Sequence, residues 1–132
     1  MIDERGNVVH DVHFAHPIER VWDAIVDRDA LAQWLMANDH EPRVGHRFQF
    51  DAGADRGAID AEVLDVQRPH RLQWRWMIDD VATIVTITLR TDGDGTALHL
   101  EHAALPPDPR SRFDDGWVEK FVALEVSLKG AA

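Results

Sequence analysis

Cysteine is absent from the 132 residues, which removes disulfide scaffolds, thiol nucleophiles and thiolate zinc sites together and leaves a reducing compartment permissible. Long apolar runs are missing too. None approaches the roughly 18 residues needed to cross a bilayer, and the N-terminal Met1-Ile2-Asp3-Glu4-Arg5 is charged and has no apolar h-region. The expectation is a soluble, cytoplasmic protein without membrane insertion. Positive charge is scarce, with 14 lysines and arginines against 24 aspartates and glutamates, and the resulting net charge of -10 repels phosphate backbones and anionic lipid surfaces. Nucleic acid is therefore not an expected partner. No Ser-His-Asp order, phosphate loop or dinucleotide glycine pattern occurs, so serine acyl transfer, nucleotide hydrolysis and hydride transfer have no support. Internal repeats and low-complexity segments are also lacking.

What remains, a chain with 45% hydrophobic content, can bury one substantial core, so residues 1–132 are read as a single domain with no linker. Val8, His10, Val12 and Phe14 alternate with Val9, Asp11 and His13, the period-2 signature of a half-buried strand. Pro17 suits the first turn of a helix in which Ile18, Val21, Trp22, Ile25 and Val26 recur at three- and four-residue steps. Asp29 is expected to cap a second short helix whose inward side is Leu31, Trp34 and Leu35.

From Gly45 the period changes to that of a sheet. Phe48 and Phe50 alternate with polar residues, a strand follows over about residues 58–66, and the adjacent Val63 and Leu64 suggest a bulge that leaves the facing of Asp60 and Glu62 undecided. Leu72, Trp74 and Trp76 share one face, and Val81 to Arg90 is rich in Ile, Val and Thr. Asp92-Gly93-Asp94-Gly95 is the sharpest turn, and the next strand places Leu98, Leu100 and His102 on one side. Pro106, Pro107 and Pro109 interrupt regular structure. From roughly Ser111 to Lys129 a helix carries the stripe Phe113, Trp117, Phe121, Leu124 and Leu128, with Val118 and Val122 read as widening it and Gly130 as the stop. Asp114-Asp115 is read as charge favourable to that helix's N-terminus.

This order of elements, with Pro17-x-Glu19-x-Val21-Trp22, Trp34, Val44-Gly45-x-x-Phe48, Pro69-x-Arg71-Leu72, Gly95-Thr96 and Gly116-Trp117, resembles the START-like, or SRPBCC, superfamily. Within it the chain is similar to the bacterial branch named after the activator of the heat-shock chaperone ATPase. The resemblance runs from about Val8 to Leu128. It implies an α+β helix-grip fold: about six strands in a curved antiparallel sheet, two short helices, and one long C-terminal helix over a cavity. Relatives of this shape carry lipids, sterols and plant hormones, cyclise polyketides or assist chaperones, so the fold alone selects no function. The chain is expected to be a lone domain, without the additional N-terminal domain that the chaperone activators use. That weakens a stress-response, co-chaperone role.

In such a fold the pocket walls would come from Trp34, Phe48, Phe50, Trp74, Trp76, His102, Phe113, Trp117 and Phe121, since aromatic rings give rigid apolar surface and a few polar handles. Taken singly, each is read as core filling. Together they are hard to pack on one sheet face to ordinary density without leaving space. The eight histidines show no i, i+4 pair on a helix and no carboxylate triad, so no metal and no cofactor is expected. Asp92 and Asp94 do not make a calcium loop, because the bidentate glutamate position falls on Ala103. The first expected function is binding of a small hydrophobic or aromatic ligand for sensing, sequestration or delivery, with a homodimer possible. The alternatives are a cyclase- or hydrolase-like enzyme using His102 with Glu62 or Asp60, catalysis being otherwise left open, and a chaperone ATPase-activating interaction module.

Overall fold

The computed structural model describes residues 1–130, and its elements are β1 (Val8–Phe14), α1 (Ile18–Val26), α2 (Arg28–Trp34), β2 (Ala37–Asn38), β3 (Arg47–Asp51), β4 (Ala58–Gln67), β5 (Arg71–Ile78), β6 (Val81–Asp92), β7 (Gly95–Ala103) and α3 (Arg110–Gly130). The strands form one antiparallel sheet in the order β1-β7-β6-β5-β4-β3-β2. It has seven strands among the described residues rather than about six. The additional one, β2, is two residues long and too short to show an alternation. Hairpins join β3 through β7 in sequence. The chain's first strand therefore closes against its last, with Val8 opposite His102 and Phe14 opposite Thr96.

The alternation read from sequence sets the sheet's inner face. Phe48, Phe50, Leu72, Trp74, Trp76, Leu98, Leu100 and His102 are all buried. In β4 the register slips between Val63 and Asp65, so Leu64 is the bulged residue, and Ala61 and Val63 face inward. That leaves Asp60 and Glu62 on the outer side of the strand. At the start of β7, Gly95 lies close against the end of β1. A Cβ there would lie 2.5 Å from the Phe14 carbonyl oxygen, which is why β1 can pair closely with the start of β7.

Each helix covers the sheet with the side its periodicity specifies, with three exceptions. Asp27, not Asp29, caps α2, its carboxylate accepting the Ala30 N–H at 2.9 Å. The helices α1 and α2 thus abut with a single residue between them, and that residue serves the second as cap. On α3 the buried stripe is Trp117, Phe121, Leu124 and Leu128, while Val118 and Val122 stand 50% and 62% exposed on the outer side together with Val126. They do not widen the inward face. A residue one position beyond the stripe is turned about 100° away from it, and two such positions in succession build a separate ridge. Finally, α3 begins at Arg110, so Asp114 and Asp115 occupy its second turn rather than its N-terminus, and Asp114 pairs with His10 of β1 at 2.9 Å.

Candidate functional site

The inner face of the sheet carries a nearly unbroken run of rings. Phe48 meets Phe50 edge-on at 5.1 Å, Phe50 stacks on Trp76 at 4.9 Å, Trp76 meets Trp117 at 5.8 Å, Trp117 stacks on Phe121 at 5.7 Å, and Phe121 reaches Trp34 at 6.3 Å. These separations fall in the range at which edge-to-face and offset pairs attract. The rings therefore fill the space between sheet and α3 by packing on one another. Of the nine residues expected to wall a cavity, Trp34, Phe48, Phe50, Trp74, His102 and Phe121 are sealed into this core at 4% exposure or less. Beneath the helix these rings form a packed aromatic layer.

His102 sits at the centre of that layer with both ring nitrogens engaged. The Trp117 indole N–H can only donate, so its 3.1 Å contact makes Nδ1 of His102 an acceptor. The ring is then neutral and carries its proton on Nε2, which donates to Thr83 Oγ1 at 2.8 Å, and the Thr83 hydroxyl donates in turn to the Trp76 carbonyl at 2.6 Å. Burial lowers the His102 pKa to about 3. His40 repeats the device. Its Nδ1–H donates to the Val26 carbonyl at 2.8 Å, its Nε2 accepts the Trp74 indole N–H at 3.1 Å, and burial again pushes its pKa down. The position of His40 in a loop concealed it from the sequence reading, since the contacts that bury it come from α1 and β5.

Neither arrangement is that of a catalytic base. His102 spends its hydrogen-bonding capacity on Thr83 and Trp117, whereas Glu62 lies on the outer face against Arg75 at 3.1 Å and Arg47 at 3.4 Å, and Asp60 accepts from Gln49 at 2.7 Å. His102 is on the inner side of the sheet and the two carboxylates are on the outer side, so the facing that alternation left undecided separates Asp60 and Glu62 from the histidine. Among the described residues no cluster of three or more His, Asp or Glu side chains has the placement to hold a metal ion.

The usable space lies instead at one end of the aromatic layer. A groove of about 850 Å³, open to solvent along one side, runs between the first half of α3, the end of α2, the β3–β4 connection and the β5–β6 hairpin. Its apolar surface comes from Leu35, Met36, Ile59, Trp76, Met77, Ile78, Phe113 and Trp117. Three of the nine expected residues, Trp76, Phe113 and Trp117, are thus brought together here. Sequence reasoning missed the aliphatic part, because Met77 and Ile78 follow the strand's alternation only to its end and Leu35 and Met36 lie beyond the helix that positions them.

Charge is concentrated at the rim, where Asp51, Asp60, Asp79, Asp115 and Glu119 outnumber Arg56, Arg112 and Lys120. None of these eight takes part in the ion pairs found among the described residues. Two features of the groove have no explanation in the protein's own packing. The Trp76 indole N–H is buried without a hydrogen-bond partner, an arrangement that ordinarily costs about 1–3 kcal/mol. Gly116 lies inside α3, where glycine costs about 1 kcal/mol relative to alanine, although a Cβ there would meet nothing within 4 Å.

Comparison with known proteins agrees with this architecture. No curated protein sequence matches the chain. Among solved structures, a protein of Mesorhizobium loti is 32% identical, with a TM-score of 0.88 over 96% of this chain and 98% of its own. DynU16, from the dynemicin biosynthetic locus, is 25% identical with a TM-score of 0.84, and the match spans 93% of this chain but 47% of that one. An Aha1 from Colwellia psychrerythraea, solved as a dimer, is 18% identical with a TM-score of 0.82 over 92% of this chain and 95% of its own, a likeness of fold. Residues 15–129 match the family described as Activator of Hsp90 ATPase homolog 1-like protein, and with seven-eighths of its length so covered the chain belongs to that family, on the helix-grip fold its sequence resembles.

Proposed function

We propose that this protein is a noncatalytic binder of a small hydrophobic or aromatic molecule, which it senses, sequesters or delivers in the cytoplasm. The carrying observation is the groove of about 850 Å³ floored by Trp76, Phe113, Trp117 and aliphatic side chains, a size and lining suited to a drug-sized guest. An enzyme acting through His102 is not supported, because that ring is neutral, buried and already bonded on both nitrogens. The test is a thermal-shift and native mass-spectrometry screen of uncharged aromatic and aliphatic compounds. A binder present at 100 times its Kd adds about 2.7 kcal/mol of stability, a clear rise in unfolding temperature. A Trp117→Ala variant that still folds and keeps the full shift would refute the groove as the site.

A protein-interaction role is the second reading, and the ridge of Val118, Val122 and Val126, 50–65% exposed, is the observation that favours it. Such a ridge could seat a chaperone or a second copy of this chain. Sedimentation of the purified protein and a chaperone ATPase assay separate these outcomes. A Val122→Glu variant indistinguishable from the parent in both removes the reading.

A further inference from the structure

Of the seven large hydrophobic side chains exposed among the described residues, three, Val118, Val122 and Val126, stand in one row on the outer side of α3. The helix does not need them there. Solvent-facing helical positions favour alanine, glutamate or lysine, and a β-branched residue forms helix less readily. Spaced by four, the valines turn about 40° per step and make the i, i+4 ridge with which helices interdigitate. The charges beside the ridge point to its occupant. Asp115 is seven residues before Val122 and Lys129 seven after, so each stands about 10.5 Å along the axis from Val122 and about 20° from its direction. Both are exposed. Among the described residues Asp115 has no ion-pair partner, and Lys129 reaches only Glu125 of its own helix, at 3.8 Å.

This face is complementary to itself when reversed. Two copies meeting at Val122 with α3 antiparallel place Val118 opposite the partner's Val126, and Asp115 opposite the partner's Lys129, at both ends of the contact. A parallel pair would set like charges together instead. Glu119 and Glu125 point about 60° to either side of Val122, on flanks that water reaches. We propose that the occupant of this ridge is a second copy of the chain, joined through an antiparallel pair of α3 helices about a two-fold axis at Val122. This rests on the protein-interaction reading and commits it to self-association. Asp115 also belongs to the rim of the groove, so pairing brings the partner's Lys129 to that rim, and each groove gains a cation from the other copy. The net charge of -10 on each chain opposes the approach, but at about 0.15 M ionic strength screening confines that repulsion to about 8 Å.

Sedimentation equilibrium at that ionic strength, from about 10 µM to about 1 mM protein as suits a small interface, should show a reversible equilibrium of monomer and dimer. A monomer throughout would overturn the inference; stimulation of a chaperone ATPase by that monomer would leave the protein-interaction reading standing, and no stimulation would end both. Because the chain has no cysteine, introduced ones report the register. Val122→Cys should oxidise to a covalent dimer, and a mixture of Val118→Cys and Val126→Cys should give mainly the mixed disulfide. Like-with-like disulfides at 118 and 126 would overturn the antiparallel arrangement. Asp115→Lys and Lys129→Asp should each weaken the dimer about tenfold, since two ion pairs become repulsions, and the two changes together should restore it to within about threefold. Losses that simply add would overturn the pairing. Val122→Glu should be folded and monomeric, with far-ultraviolet circular dichroism separating loss of pairing from loss of fold, and a dimer as tight as the parent's would overturn the surface.

Discussion

Acid should destabilise this protein through His102 before its carboxylates titrate. In the folded chain burial lowers the ring's pKa to about 3, and its Nδ1 accepts the Trp117 indole N–H, so protonation would both charge a buried group and remove that bond. Unfolded, the same ring has the ordinary value of about 6.5. Between those limits the unfolded state binds a proton that the folded state does not, so stability rises with pH across the window and falls as pH drops below 6.5. At pH 5.0 the unfolded ring is stabilised by about 1.36 kcal/mol for each of the 1.5 units below 6.5, or about 2 kcal/mol. That figure does not depend on the folded value so long as it stays well under 5. His40 acts in the same direction, as burial lowers its pKa also.

The assay is urea unfolding followed by tryptophan fluorescence and far-ultraviolet circular dichroism at pH 7.5 and 5.0, at constant ionic strength, for the parent and His102→Asn. Asparagine has a side-chain carbonyl oxygen near the position of Nδ1, so the Trp117 N–H keeps an acceptor while the titrating group is gone. The variant is less stable at pH 7.5 because its side chain is smaller, but its disadvantage should shrink by about 2 kcal/mol at pH 5.0. Equal pH dependence in the two proteins, or an NMR titration of His102 near pH 6.5 in the folded parent, would refute the reasoning.

Three further outcomes follow from backbone and packing. Gly95→Ala should destabilise by about 2 kcal/mol or more, since the new methyl would meet the Phe14 carbonyl oxygen at 2.5 Å and the His13 ring at 2.8 Å; wild-type stability by denaturant unfolding would contradict the close approach. Ala104 has a φ of 65°, a left-handed conformation that costs a non-glycine residue about 1–2 kcal/mol, so Ala104→Gly should stabilise by about 0.5–1 kcal/mol in the same measurement, glycine's greater unfolded-state freedom cancelling part of the gain. Val122→Glu should change stability by less than about 0.5 kcal/mol, because Val122 is 62% exposed; a large loss would mean that the ridge is part of the core.

Alternation and helical spacing were enough to assign inner and outer faces to β3, β5 and β7 and to find the buried stripe of α3, because each is a long element with one side against the core. They failed where position is set by a neighbour. Val118 and Val122 fit a wider stripe as readily as a separate ridge when only spacing is known, and it is the packing of α3 on α2 and β1 that turns them outward. His40 has no periodic context at all, and its burial follows from the Val26 carbonyl and the Trp74 indole converging on it. The facing of Asp60 and Glu62 needed the bulge at Leu64 to be located, which paired strands supply and a single strand does not.

The candidate site shows the same division. That many large rings share one sheet face is visible in sequence, and volume alone would suggest a void among them. The rings meet edge-on and stacked at 4.9–6.3 Å, and the indole N–H groups of Trp74 and Trp117 are paired internally through His40 and His102. Such a network is rigid because breaking any member leaves a buried donor or acceptor unpaired. That rigidity is a property of the packed rings themselves. It does give the groove beside it a firm floor, so Trp76 and Trp117 belong at once to the core and to the lining of the groove. The aromatic packing gives way to this groove along the first half of α3.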